Sequence, residues 1–347
     1  MIKKNTKNVF RKVLIMTKGP KTFRIIICVL LALTMIISTF FAAFFCLYFS
    51  KDPYGIYVAG VSVNRSNQDD ILGDGTVYYD STNKLLTLNN ATIESEDTVV
   101  YSMIDLHIQL IGENKVVCTN EEYCVGVYAG NYNLNKDLAL VGDGSLTIEF
   151  PNARGDAAGL SAADLTVGAD LTVITPDCEN AVNGVICDSS LILVNKATVT
   201  VHNGASTKYS SAVRVRGNAL MEEGTTLNVS VKSGTSGICK GLTVNGDLVL
   251  GKDAAIDVSI DDGATDLGEC IRVSGLMEIG SGSTVTASAK NAPAIECFGS
   301  IEANKDATIF AVSAQNDAGI FCSGAVVNCG ANIDGEIDAL GGIHNRD

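Results

Sequence analysis

The sequence predicts an all-β chain: a right-handed parallel β-helix (β-solenoid) of about ten coils with an N-terminal β cap, preceded by one transmembrane helix. Three observations predict it. An aliphatic residue recurs every 24–33 positions inside a shared phrase. Short stretches of alternating polarity run into Gly or Asn at matching places in each interval. A long uncharged run follows a strongly basic N-terminus.

Composition narrows the field. With 347 residues and 46% apolar, the chain is long enough for a sizeable core and too apolar for general disorder. The formal charge of −14 excludes the basic footprint that DNA or RNA binding needs, so no nucleic-acid partner is expected. Eleven cysteines in this length are too dilute for a small disulfide scaffold. The 34 glycines, together with abundant Val, Thr, Asn and Asp, favour strands and turns over helices.

Residues 1–24 read as a basic cytoplasmic tail, with eight Lys or Arg and no acid. Residues 25–49 carry no charge. As a helix that run spans about 37 Å, enough for a bilayer core of about 30 Å with some tilt. The preceding cations place the N-terminus in the cytoplasm and the rest outside, a single-pass protein of the cell membrane. A cleaved signal peptide is the competing reading. Its apolar core should be shorter and end in an A-x-A-like site, whereas here Phe41 and Phe44 flank Ala42-Ala43. An uncleaved signal anchor is expected. Beyond it stand 17 basic against 39 acidic residues, an ectodomain of net −22.

Residues 54–93 form a different module, expected to be the N-terminal β cap and first coil. It contains Tyr54–Val63, then Leu72-Gly73-Asp74-Gly75-Thr76-Val77, then Leu85–Ile93. The Asp-Gly pair with flanking β-branched residues predicts a hairpin turn closing the end of the stack.

Residues 94–340 hold the repeats. The phrase G-(aliphatic)-x-(small or aliphatic) carries Val127, Leu160, Val185, Val213, Leu242, Ile271, Ile295 and Ile320 at its aliphatic position. Units of this length signal stacked repeats, since each buries its apolar face only against its neighbours. Within a unit, one short alternating strand meets a corner at Gly168, Asn195, Gly224, Gly251, Gly280, Asn304 or Gly330. A second strand follows, and a loop of variable length leads to the phrase. Gly and Asn tolerate a left-handed backbone, so these corners are expected to bend there. Propeller blades need about 40 residues and four strands, and leucine-rich repeats need a motif that is missing from this sequence.

The cysteines fall into this frame. Cys187, Cys297 and Cys322 take the same inward slot as Ala129, Ala162, Val215, Val244 and Val273, and read as small core hydrophobes. Cys118 and Cys124 flank a loop and form the most plausible bridge, while Cys297 and Cys322 stand one coil apart.

The segment L-G-D-G-T-V followed by L-T-L-N-N-A-x-I resembles the N-terminal region of bacterial cell-surface proteins with a parallel β-helix carbohydrate-binding domain. The segment match covers residues 56–93, and the looser coil grammar extends it to about 337. The resemblance implies extracellular polysaccharide binding on a calcium-supported β-helix, without catalysis. It carries over no particular binding residue.

Outer-surface chemistry offers two candidates. Eight of the ten tyrosines lie between Tyr54 and Tyr132, and read either as a sugar-binding surface or as packing in the cap. Arg214, Thr243 and Arg272 share one outward slot on consecutive coils, with Arg216 and Lys240 close by. Such a cationic strip would suit an acidic glycan, because Arg pairs carboxylates bidentately; an ordinary solvated face is the alternative. Asp261, Asp262, Asp266 and Glu269 supply a candidate oxygen cage for calcium, though without EF-hand spacing.

The leading expectation is a membrane-anchored protein that binds an extracellular polysaccharide or glycan. A polysaccharide lyase acting on acidic sugars stands behind it, since β-helices support both binding and cleavage. A structural adhesin or spacer without a small ligand is third. The last coil near Ile337, with free strand edges, invites self-association.

Overall fold

A computed structural model describes residues 34, 53–131, 134–232, 234, 238–261, 268–290, 292–314 and 318–346. Pro53–Asp347 forms one compact unit, and in it the alternation read from the sequence becomes strands. Thr226–Val231, for example, alternates half-buried Thr, Asn and Ser with buried Leu227, Val229 and Val231.

The unit is an all-β parallel solenoid built from three sheets of short strands. In the ten-stranded sheet every pairing is parallel, running from Thr92–Ser95 to Asn332–Asp334. Eight full rounds, between Tyr123 and Asp334, visit all three sheets with parallel pairing from row to row. The expected count of about ten included the incomplete rounds at either end.

The register settles the column on which the repeat rests. Val127, Leu160, Val185, Val213, Leu242, Ile271, Ile295 and Ile320 are cross-strand partners in unbroken succession. Each is at most 1% exposed. Burying such a side chain is worth about 1.5–3 kcal/mol, so the stack is the main source of cohesion between rows. Beside it, Ala162, Cys187, Val215, Val244, Val273, Cys297 and Cys322 form a second inward column. Burial pushes the Cys187 thiol well above its ordinary range.

The phrase opens on Gly for a steric reason. A Cβ on Gly184 would stand 2.4 Å from the Ala212 carbonyl oxygen and 2.4 Å from Val201 Cγ1. Rows that depart from Gly use only small residues there, namely Ala212, Cys270 and Ala294.

The corners differ from expectation in part. Asn195, Gly224 and Gly330 have positive φ as anticipated, but elsewhere the left-handed residue is Asp253, Gly282 or Asp306. Gly251 and Gly280 serve close approach instead: a Cβ on Gly280 would lie 2.6 Å from the Leu250 and Gly251 carbonyl oxygens. Short Asp side chains tolerate the left-handed region, which is why Asp253 and Asp306 can take the bend.

Antiparallel strands occur before the first regular rows. Pro53–Val58 pairs with Val61–Asn64 and with Val100–Ser102. Val77–Asp80 pairs with Leu85–Asn89, so the hairpin turn is at Ser81–Lys84 and not at Asp74-Gly75. Asp74 instead closes a local loop, its Oδ1 accepting from Thr76 N and Oγ1 at 2.9 and 2.7 Å. Buried Asn114 ties the first rows together. Its Oδ1 accepts from Ala91 N at 2.9 Å and its Nδ2 donates to the Ser145 carbonyl at 3.2 Å.

Cys118 and Cys124 are buried free thiols, with the Cys124 thiol donating to the Asn120 carbonyl at 2.9 Å. Among the described residues no helix is long and apolar enough to cross a membrane. The expected anchor, 25–49, lies outside them apart from Thr34.

Candidate functional site

Because side chains alternate across a strand, the solenoid turns columns of residues outward as regularly as it turns others inward. On the outer face of the first sheet, the thirteen-stranded one that contains Pro53–Val58 and Val100–Ser102, one such column runs Tyr57, Tyr101, Tyr128, Ser161, Ile186, Arg214, Thr243, Arg272, Glu296, Phe321 and Asp338. It divides into an aromatic upper part and a charged lower part.

The charged part contains the residues singled out from the sequence. Arg214, Thr243 and Arg272 are direct neighbours across the ladder, and Lys240 stands beside Glu269 in the adjacent column. Lys240 and Arg272 are not free. Glu269 Oε2 meets Lys240 Nζ at 2.7 Å and Glu269 Oε1 meets an Arg272 guanidinium nitrogen at 2.8 Å. Arg272 Nε also lies 3.8 Å from Glu296, and its guanidinium sits 4.9 Å from the centroid of the Phe298 ring. Two cations and two carboxylates leave the cluster neutral. Burial raises the Glu296 carboxyl above its ordinary value, with Arg272 opposing the rise and Glu269 adding to it.

Arg216 points into a different network. It pairs with Asp188 at 3.1 Å, and Asp188 accepts from Asn135, whose amide oxygen receives the Tyr128 hydroxyl at 3.2 Å. Arg214 forms no ion pair among the described residues. Its Nε and the neighbouring Thr243 Oγ1 are buried without hydrogen-bond partners there.

The acidic loop offers little as a metal cage in what is described. Asp261 is exposed, Asp262 and Asp266 lie outside the described residues, and both Glu269 oxygens face cations. Among the described residues no group of three or more His, Cys, Asp or Glu is placed to hold a metal ion.

The aromatic part holds three of the tyrosines that the sequence offered as a sugar-binding surface or as cap packing, together with a groove that the sequence did not single out. Tyr57, Tyr101 and Tyr128 stack at centroid distances of 5.8 and 5.7 Å, the second pair within 3° of parallel. Directly below Tyr128 the column drops to Ser161, while the columns alongside hold Ala158 and Ala181. Small residues between large ones leave a groove of about 350 Å³. Tyr123 and Tyr128 form its upper wall, and Thr98, Asp156, Ser161 and Asn183 are the other polar residues of its lining. Tyr123 is 64% exposed and so presents its ring to solvent. One oxygen of Asp156 accepts from Ala181 N at 2.9 Å, and Asn183 Oδ1 has no partner among the described residues.

Two signals for these groups were present in the sequence. Glu296 follows from continuing the slot count past Arg272, within the phrase Ala294–Cys297. The groove follows from noting where Ala and Ser replace bulky residues in outward slots.

No protein-family model, no curated protein and no solved structure matches this chain.

Proposed function

We propose that this chain is a non-catalytic glycan-binding protein, held on the outer side of the cell membrane by residues 25–49 with its N-terminus in the cytoplasm. The observation that carries the reading is the groove below Tyr128. An exposed aromatic ring beside a carboxylate and an amide, on a rigid sheet face, is the arrangement that suits a sugar ring with an apolar face and polar edges. The likeness of residues 56–93 to the entry segment of surface carbohydrate-binding solenoids supports the same reading. In it the solenoid winds right-handed, as parallel crossovers do. The antiparallel strands of Pro53–Asn89 cap its open end. Calcium at the Asp261 loop belongs to the reading as a supporting ion and not as the glycan contact.

A glycan array probed with the full chain, with and without a chelator, tests the proposal. Binding to a defined set of polysaccharides is expected, and a chelator-sensitive signal would add calcium to the site. Binding to none would overturn the reading in favour of a spacer. Unsaturated-product absorbance on incubation with polygalacturonate would overturn its non-catalytic part.

A further inference from the structure

The choice of glycan follows from the charges on the first sheet's outer face, and this step rests on the glycan-binding reading above. We infer that the groove below Tyr128 takes an uncharged, hydroxyl-rich sugar unit and turns acidic glycans away. In the strip that sequence spacing pointed to as an acceptor for acidic sugars, Lys240 and Arg272 already hold their own counter-ions, while Arg214 forms no ion pair among the described residues. Glu269 bridges Lys240 and Arg272, and Glu296 stands on the other side of Arg272. A uronate arriving there would have to displace a partly buried carboxylate from two cations, a replacement with no net gain in ion pairs.

The groove has the opposite character. Its lining contains one carboxylate, Asp156, and neither Lys nor Arg. One Asp156 oxygen accepts from the Ala181 amide, and the carboxylate is part of the groove's lining. Asn183 also lines the groove, with its Oδ1 buried and without a hydrogen-bond partner among the described residues. A carboxylate and the hydroxyls of Thr98 and Ser161, with no cation among them, suit a ligand that donates, which hydroxyl groups do and ionised carboxylates do not. A carboxylate or sulfate in the groove would face Asp156 at short range within a strongly acidic ectodomain. The Tyr123 ring supplies the apolar contact that a pyranose face needs.

Dimensions agree. The groove spans the rows of Tyr123, Asp156 and Ala181, and rows are separated by about 4.8 Å. Its volume of about 350 Å³ falls at the small end of ligand sites, suited to one or two sugar units of a longer chain.

The test uses the full chain with cellohexaose, xylohexaose and mannohexaose on one side and hexagalacturonate on the other. Titration calorimetry is read together with tyrosine fluorescence, which is unobscured because the sequence has no Trp. At least one neutral hexaose should bind and hexagalacturonate should not. Tyr123→Ala, at a ring already open to solvent, should weaken neutral binding about tenfold, or about 1.4 kcal/mol. Asp156→Asn keeps an oxygen for the Ala181 amide, so the fold is retained while neutral binding falls. Hexagalacturonate binding without neutral binding would overturn this inference and leave the glycan reading standing. So would neutral binding unchanged by both variants. Failure of all four to bind would overturn both.

Discussion

Replacing Leu242 with Ala opens the middle of the aliphatic column, between Val213 on one row and Ile271 on the next. All three side chains are fully buried. The change removes three carbons, and at about 0.8 kcal/mol per buried methylene the transfer loss is about 2.4 kcal/mol. Parallel ladders on both sides fix the adjoining rows, so the hole cannot close completely. The cavity then brings the cost to about 3–5 kcal/mol. Ile337 belongs to the same column on a terminal row and is only partly buried. Ile337→Ala should therefore cost about 1–2 kcal/mol. Urea unfolding followed by circular dichroism gives both values. Because stacked repeats open locally, hydrogen exchange adds the location: amides of Tyr209–Val215 and Ile238–Val244 should exchange faster in Leu242→Ala. Equal costs at the two sites, or a Leu242→Ala cost below about 1 kcal/mol, would refute a continuously packed column.

Tyr101→Ala breaks both contacts of the tyrosine ladder and should cost about 1–3 kcal/mol, from about 0.5–1.5 for each aromatic pair. An unchanged urea midpoint would show the stacking to be energetically idle. Glu296 has a raised folded pKa, so just above its ordinary 4.5 the native state holds more protons than the unfolded chain. Stability conferred by that proton is full at low pH and is lost as pH rises through the folded value. Glu296→Gln removes the loss, so its urea midpoint should gain on the parent's as pH rises above 4.5, and parallel curves would contradict the assignment.

The inward columns were legible because a period of two and a fixed row length are both written locally in the sequence. Val213, Leu242 and Ile271 needed no long-range knowledge to be aligned, only the steps between like phrases. The corners were less legible because Gly answers two different demands. At Gly224 it supplies a left-handed bend, and at Gly280 it supplies room for a neighbouring carbonyl. Arg214, Thr243 and Arg272 were aligned correctly along the ladder, but the pairing of Lys240 and Arg272 with Glu269 was not foreseen. Glu269 acts on Lys240 across a row and on Arg272 along its own strand, so the pairing depends on side-chain reach as well as on slot. The groove was the least legible feature. Ala158, Ser161 and Ala181 are unremarkable residues, and their effect appears only once Tyr123 and Tyr128 are known to stand on the row above.

A crystal structure of the full chain bound to whichever neutral hexaose titrates most tightly would be the most direct examination of the proposed glycan-binding face. A sugar ring lying against Tyr123, with hydroxyls on Asp156, is the predicted outcome. Sugar ordered against Lys240 and Arg272, or on either of the other two sheets, would contradict it.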